Sequence, residues 1–257
     1  MGFIVQTVLD RRKQPRTMPY PISAARLIGG FLFSLALLTS AVSRAASDAE
    51  VINGFNLTVF GAEYSPLGIQ SDYVRKFNGP VRFYIENTAS RDRTHEVRAF
   101  ILSLNKLIGN LRTQIVSSPN RANFVVHVVD RKDYVRTVRE KVYRSATADT
   151  PGRCLVRSVF SRSGIRRSDA VIVADEGRAQ FDRCKAEEIL QGLGPLNEDA
   201  SLRESMFNDR TRHTQFTRFD RLILNMLYDR RIMNGASRQS VRGLLPAVLR
   251  DAKRRVR

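Results

Sequence analysis

Glu187, Glu188 and Gln191 sit close together in the stretch Cys184-Lys-Ala-Glu-Glu-Ile-Leu-Gln-Gly-Leu-Gly-Pro-Leu-Asn197. Glu187 and Gln191 are four apart, so on a helix both project from the same side. With Asn197 beyond the Gly-Pro stop, the three side chains could hold a cation or form a buried hydrogen-bond network. As a ligand set, a Glu, a Gln and an Asn are hard oxygens, closer to calcium or magnesium than to zinc. Glu188 is placed for a general base only if a metal-bound water is there to activate. As adjacent residues Glu187 and Glu188 diverge on a helix, a poor acid–base pair unless a third group converges on them. None of the three histidines, His95, His127 and His213, is spaced to complete a site on this helix.

The helix that must carry these residues is well marked. Ala186, Ile189, Leu190 and Leu193 fall at i, i+3, i+4 and i+7, a core-facing stripe. Gly194 can take positive φ and Pro195 cannot continue the ladder, so the helix should stop there.

Laid on H-E-x-x-H-x-x-G-x-x-H, the stretch resembles the zinc helix of the metzincin peptidases. In that register Glu187 takes the first His position, Glu188 the general base and Gln191 the second His. Gly194 is the turning glycine and Asn197 takes the third His position. Downstream, Ser205-Met206-Phe207 looks like a Met-turn, and Phe216-Thr217-Arg218-Phe219-Asp220 through Leu227-Tyr228 resembles the next helix of matrixin-like enzymes. The segment is also similar to the bacterial domain of unknown function 2927 family, over about residues 50–245. The resemblance implies an α+β, zincin-like fold, a mixed sheet packed on a central helix carrying Glu187-Glu188-x-x-Gln191. All three zinc histidines are replaced, so no metal and no cofactor are expected. Three functions stay open. One is a non-catalytic domain binding a peptide, glycan or anionic envelope component through Glu187, Gln191 and Asn197. Another is a scaffold with a filled cleft, and the third a divergent hydrolase using Glu188 with a non-standard metal site.

Export is expected from the N-terminus. Arg11, Arg12, Lys13, Arg16 and Arg26 precede an uncharged run from Leu27 to Val42, short for a membrane span and right for a signal peptide. Ser43-Arg44-Ala45 places cleavage after Ala45, which makes the protein periplasmic or secreted. The organisation is then 1–45 signal peptide, 46–75 N-terminal extension, 76–235 zincin-like domain and 236–257 basic C-terminal helix. Cys154 and Cys184, the only cysteines, should form a disulfide in such a compartment.

Residues 46–257 hold 37 Lys and Arg against 24 Asp and Glu, a net charge of +13. In an exported protein this charge meets anionic envelope surfaces first. No nucleic-acid motif or stacking platform accompanies it. Membrane contact is expected only through the signal segment or weak surface charge.

The remaining elements follow from periodicity. Strands are expected at Phe55–Phe60, Val81–Glu86, Phe124–Val129, Cys154–Phe160 and Ala170–Ala174. Helices are expected from Thr94 to about Arg112, within Asp133–Arg144, and from a Thr217 N-cap with Asp220 closing the capping box. Phe219, Ile223, Met226 and Leu227 form that last helix's buried stripe, and Val241, Leu244, Leu245, Val248 and Leu249 that of a C-terminal helix. His95 and Glu96 belong to a solvated helix face, and His127 to a packed strand.

Overall fold

Apolar strands that bury both faces organise the chain. In the computed structural model, residues 3–8 (backbone only), 46–61, 72–150 and 152–256 are described. The proposed leader and its cleavage point lie outside these residues, apart from Phe3–Val8.

Strands β1 (Phe3–Val8), β2 (Val81–Asn87), β3 (Thr113–Ile115), β4 (Phe124–Val129), β5 (Cys154–Ser161) and β6 (Gly164–Val173) form one sheet in the order β1-β5-β6-β4-β2-β3. The four strands β6, β4, β2 and β3 run parallel. β5 runs antiparallel to β6, and β1 pairs antiparallel on its outer edge, from Phe3 opposite Phe160 to Val8 opposite Leu155. Every residue of Phe124-Val-Val-His-Val-Val129 is buried, as a central parallel strand requires.

Among the described residues seven α-helices complete the α+β fold: α1 (Asp48–Val59), α2 (Thr94–Leu107), α3 (Arg131–Thr137, continued by a π-helical turn to Tyr143), α4 (Arg178–Gln191), α5 (Arg218–Leu227), α6 (Arg238–Val241) and α7 (Leu245–Arg255). α2 and α4 lie over one sheet face, whose core includes Phe83, Phe124, Ile172 and Leu190. α3 covers the other with Tyr134 and Val138 against Val129, Leu155, Val171 and Val173. α1 packs on α5 and α7. No helix among the described residues is long and apolar enough to cross a membrane.

Several sequence expectations change. Phe55–Phe60 is the end of helix α1 rather than a strand. Ser47 and Glu50 form a reciprocal capping box at its start, and Val51, Phe55 and Val59 recur at helical spacing into the core. α2 stops at Leu107, because Asn110 turns the chain with φ 63° and Thr113 enters β3. The C-terminal helix is split in two, which leaves Leu244 at 38% exposure while Leu245, Val248 and Leu249 are buried. The strands at Val81, Phe124, Cys154 and Ala170 are present, the last extended back to Gly164. The Thr217 capping box is formed, with Phe219, Ile223, Met226 and Leu227 buried.

Candidate functional site

α4 enters from the end of β6 and is enclosed nearly all round. Phe181, Cys184, Ala186, Ile189 and Leu190 are buried, and so are Arg183, Glu187, Glu188 and Gln191. The disulfide Cys154–Cys184, with Cα atoms 5.9 Å apart, ties its middle to the start of β5. Its C-terminal end lies tight on the sheet: Ser168 Oγ donates to Gly192 O at 2.8 Å. Gly194 then takes φ 145°, and a Cβ there would lie 2.6 Å from the carbonyl oxygen of Arg75. The glycine stop read from the sequence is therefore enforced twice, by conformation and by space.

Glu187 is fully buried and pairs with a residue the sequence reading overlooked. Arg183, one turn earlier, donates from Nη2 to Glu187 Oε1 at 2.8 Å. The same guanidinium donates to three carbonyls of the loop after α4: Thr211 O at 2.8 Å, Asn208 O at 3.1 Å and His213 O at 3.2 Å. A planar fork with five donors suits this task, and it locks the loop onto the helix. The helical spacing of Arg183 and Glu187 was a signal visible in the sequence.

Gln191 does not reach Glu187. Its amide Nε2 donates to Glu198 Oε1 at 2.6 Å. Asn197 turns away: its side chain donates to Leu57 O at 2.8 Å and its backbone to Thr58 O at 3.2 Å, both on α1. The acidic residue drawn to α4 is its neighbour Glu198. Glu187 is raised to about 7, chiefly by burial; the charge and hydrogen bond of Arg183 oppose this, Asp209 adds to it, and a hydrogen bond with Glu198 lowers it again. Two carboxyl groups thus share a site with one guanidinium, and a shared proton removes the excess negative charge.

Glu188 is 1% exposed. Its charge acts on Tyr134, whose phenol is raised first by burial and then by Glu188. Oxygens of Glu187 and Glu188 and the Cys154 sulfur lie within 4.8 Å of one another, the one such group of three among the described residues. It is a poor metal set, because that sulfur is bonded to Cys184 rather than free as a thiolate. The three positions that would hold zinc do not converge on one point: Glu187 and Gln191 meet only through Glu198, and Asn197 does not join them. Glu187 faces Arg183, Gln191 presents an N–H to Glu198, and Asn197 lies against α1.

The loop that supplies these carbonyls is itself anchored. Asp220 is buried at the start of α5 and accepts from Ser205 Oγ at 2.6 Å and from Met206 N at 3.0 Å. Burial raises its pKa, while these hydrogen bonds and those of Thr217 act to lower it. Met206 and Phe207 are buried beneath the turn.

Residues 48–247 match the family described as Protein of unknown function (DUF2927). The chain belongs to that family. No curated protein and no solved structure matches it. In this member of the family, the polar centre comes from Arg183, Glu187, Gln191 and Glu198, with Asn197 anchoring α1.

Proposed function

We propose that the protein is an exported, non-catalytic domain with a zincin-like fold, whose former catalytic centre is a structural polar network and whose binding surface is the edge of its sheet. The observation that carries the non-catalytic reading is the placement of Arg183. A buried cation beside Glu187, held by three loop carbonyls, occupies the side of α4 where a metal would have to sit. A second cation there would be repelled, and Glu188 would have no activated water to use.

The strand order supports the zincin-like reading: parallel strands, antiparallel β5 beside the last of them, where it becomes the edge once Phe3–Val8 is removed, and a central helix that leaves the last strand and ends at a glycine turn. The Cys154–Cys184 disulfide and the basic, apolar N-terminus support export. Of the partners considered, an extended peptide fits best. β5 accepts a six-residue antiparallel strand, Phe3–Val8, in continuous register, and removal of a leader up to Ala45 would free that edge for β-augmentation.

Elemental analysis of disulfide-intact protein should find far less than one zinc per chain and no peptide cleavage dependent on Glu188. About one zinc, with cleavage lost in Glu188→Gln, would restore the hydrolase reading. A synthetic peptide carrying Phe3–Val8 should bind the chain that begins at Ala46 and not the full chain. Equal binding to both would sink the edge-strand reading.

A further inference from the structure

Along β5 the side chains alternate between the two sheet faces. Leu155 packs in the core beneath α3, so Arg157 and Val159, two and four residues on, share its face; the one irregularity of register falls after Val159. Arg157 is half-buried there. Its guanidinium lies 5.2 Å from the centre of the Tyr143 ring, and Nη1 donates to Val142 O at 2.6 Å, both in the π-helical turn after α3. These contacts hold the cation down on the sheet. The bond to Val142 is the one side-chain hydrogen bond that Arg157 makes among the described residues, and no ion pair of it is found among them.

The acids of the neighbouring strands are committed elsewhere. Asp169 stands directly across from Arg157 on β6, but both its oxygens accept from Arg167, at 2.6 and 2.8 Å. Farther along the face, Glu86 of β2 accepts from Lys141 at 2.6 Å and lies 2.6 Å from His127 Nδ1. Burial raises the Tyr143 phenol, Arg157 lowers it and Asp149 raises it again, so Asp149 is near, yet no ion pair joins it to Arg157. The other flank of Arg157 faces the added strand. In the register of Phe3–Val8 the residue directly opposite is Gln6, with Ile4 opposite Val159 and Val8 opposite Leu155. Directly opposed residues of an antiparallel pair project to the same face, with Cβ atoms about 4.5–5.5 Å apart. A peptide residue in that position therefore emerges beside a guanidinium that has no counter-charge.

We infer that, on the edge-strand reading, the peptide taken by β5 carries a glutamate opposite Arg157. Apolar residues flank it two positions away on either side, opposite Val159 and Leu155. The partner is thus an apolar-x-Glu-x-apolar segment running antiparallel to β5. The main-chain ladder supplies affinity to any extended sequence, and Arg157 supplies the selection. A carboxylate there accepts charge-assisted hydrogen bonds from donors that Val142 leaves over, in a half-buried place where salt screens less than on the open surface. The leader has a neutral residue in that register, so it fills the edge without answering the cation. An acidic segment is the better ligand once the leader is gone.

Every residue of both hydrophobic clusters lies at or after position 46, so the chain that begins at Ala46 keeps its core. Its binding of dye-labelled peptides is read by fluorescence anisotropy at pH 7. Three peptides are compared: Phe3–Val8 as it stands, its Gln6→Glu form and its Gln6→Lys form. The Gln6→Glu peptide should bind about fivefold tighter than the native one, the worth of a good cross-strand charge pair, and the Gln6→Lys peptide more weakly than native. On Arg157→Gln protein the three should bind alike. Equal affinity of the native and Gln6→Glu peptides for the wild type, or a preference for Gln6→Glu that survives Arg157→Gln, would overturn the proposal and leave the edge-strand reading standing. Binding of none of the three would sink the edge-strand reading itself, and the selection by Arg157 with it. Should Arg157→Gln fold poorly, the wild type alone decides: a Gln6→Lys peptide as tight as the Gln6→Glu one refutes selection by charge.

Discussion

The buried pair of carboxyls beside Arg183 makes a specific demand on stability against pH. Glu187 ionises near the usual 4.5 when unfolded and at about 7 when folded. Between those values the unfolded chain has released the proton and the folded one keeps it, so stability falls as pH rises. The full penalty is present above 7 and absent below 4.5. At about 1.4 kcal/mol per tenfold change in proton affinity, it amounts to about 3 kcal/mol, most of it between pH 5 and 8. Two other shifted groups act elsewhere. Glu86, lowered to about 2, loses its contribution as pH falls from 4.5, and Lys76, lowered to about 8 mainly by burial, alters stability only above that pH. Glu187→Gln replaces the shared proton by a fixed amide and leaves Glu198 as the counter-charge to Arg183. Urea unfolding at intervals from pH 5 to 8, with the disulfide intact, measures the difference between wild type and variant. The wild type should lose roughly 2–3 kcal/mol relative to Glu187→Gln over that range. A difference that is flat, or that grows in favour of the wild type with rising pH, would refute the shared-proton account.

Other outcomes follow from single positions. Cys154→Ser removes a crosslink spanning a sequence separation of 30 and should cost roughly 3–4 kcal/mol in the same unfolding assay; two free thiols in mass spectra of the native protein would count against both the bridge and export. Gly194→Ala puts a Cβ 2.6 Å from a carbonyl oxygen at φ 145°, and a loss below about 1 kcal/mol would show that the turn relaxes. Gln191→Ala strips Glu198 of its buried donor and should cost on the order of 1–3 kcal/mol by thermal or urea unfolding. Replacing the exposed Arg250 and Arg254 by Gln should lower retention on an anionic surface at low salt and leave stability unchanged, whereas deleting residues 237–257 should unfold the protein because Val248 and Leu249 are fully buried.

What the sequence disclosed depended on how local each determinant is. The α4 stripe, the Gly194 stop and the Thr217–Asp220 box are set within one or two turns of chain, and all three are present. The Ser47–Glu50 box is the same local pattern, yet Phe55–Phe60 alternates well enough to suggest a strand; the core contact of Val51 and Phe55 decides for the helix. β3 has three residues and is held by pairing with β2, so no periodicity could mark it. The partnership of Glu86 with His127 joins residues 41 apart through parallel strand register.

Asn197 and Glu198 show where motif spacing stops carrying information. Alignment on the zinc-helix pattern assigns a role to Asn197 by counting from Gly194, and counting holds only while the backbone follows the pattern's path. Here Asn197 N bonds Thr58 O, so α1 fixes the chain after the turn and aims the Asn197 side chain at Leu57. Glu198 then reaches Gln191. Arg183 explains why an acid is favoured there. Once a cation is buried on α4, the adjoining position favours a negative charge, and that of Glu198 is shared with Glu187 through one proton. The burial of Arg183 and the placement of Glu198 beside Glu187 therefore form one electrostatic unit. It follows that Arg183→Met alone should be more destabilising than Arg183→Met combined with Glu187→Gln and Glu198→Gln, because the single change leaves two carboxyls facing each other without their cation. If the triple variant were no more stable than Arg183→Met at pH 8, the three residues would be independent and this account would fail.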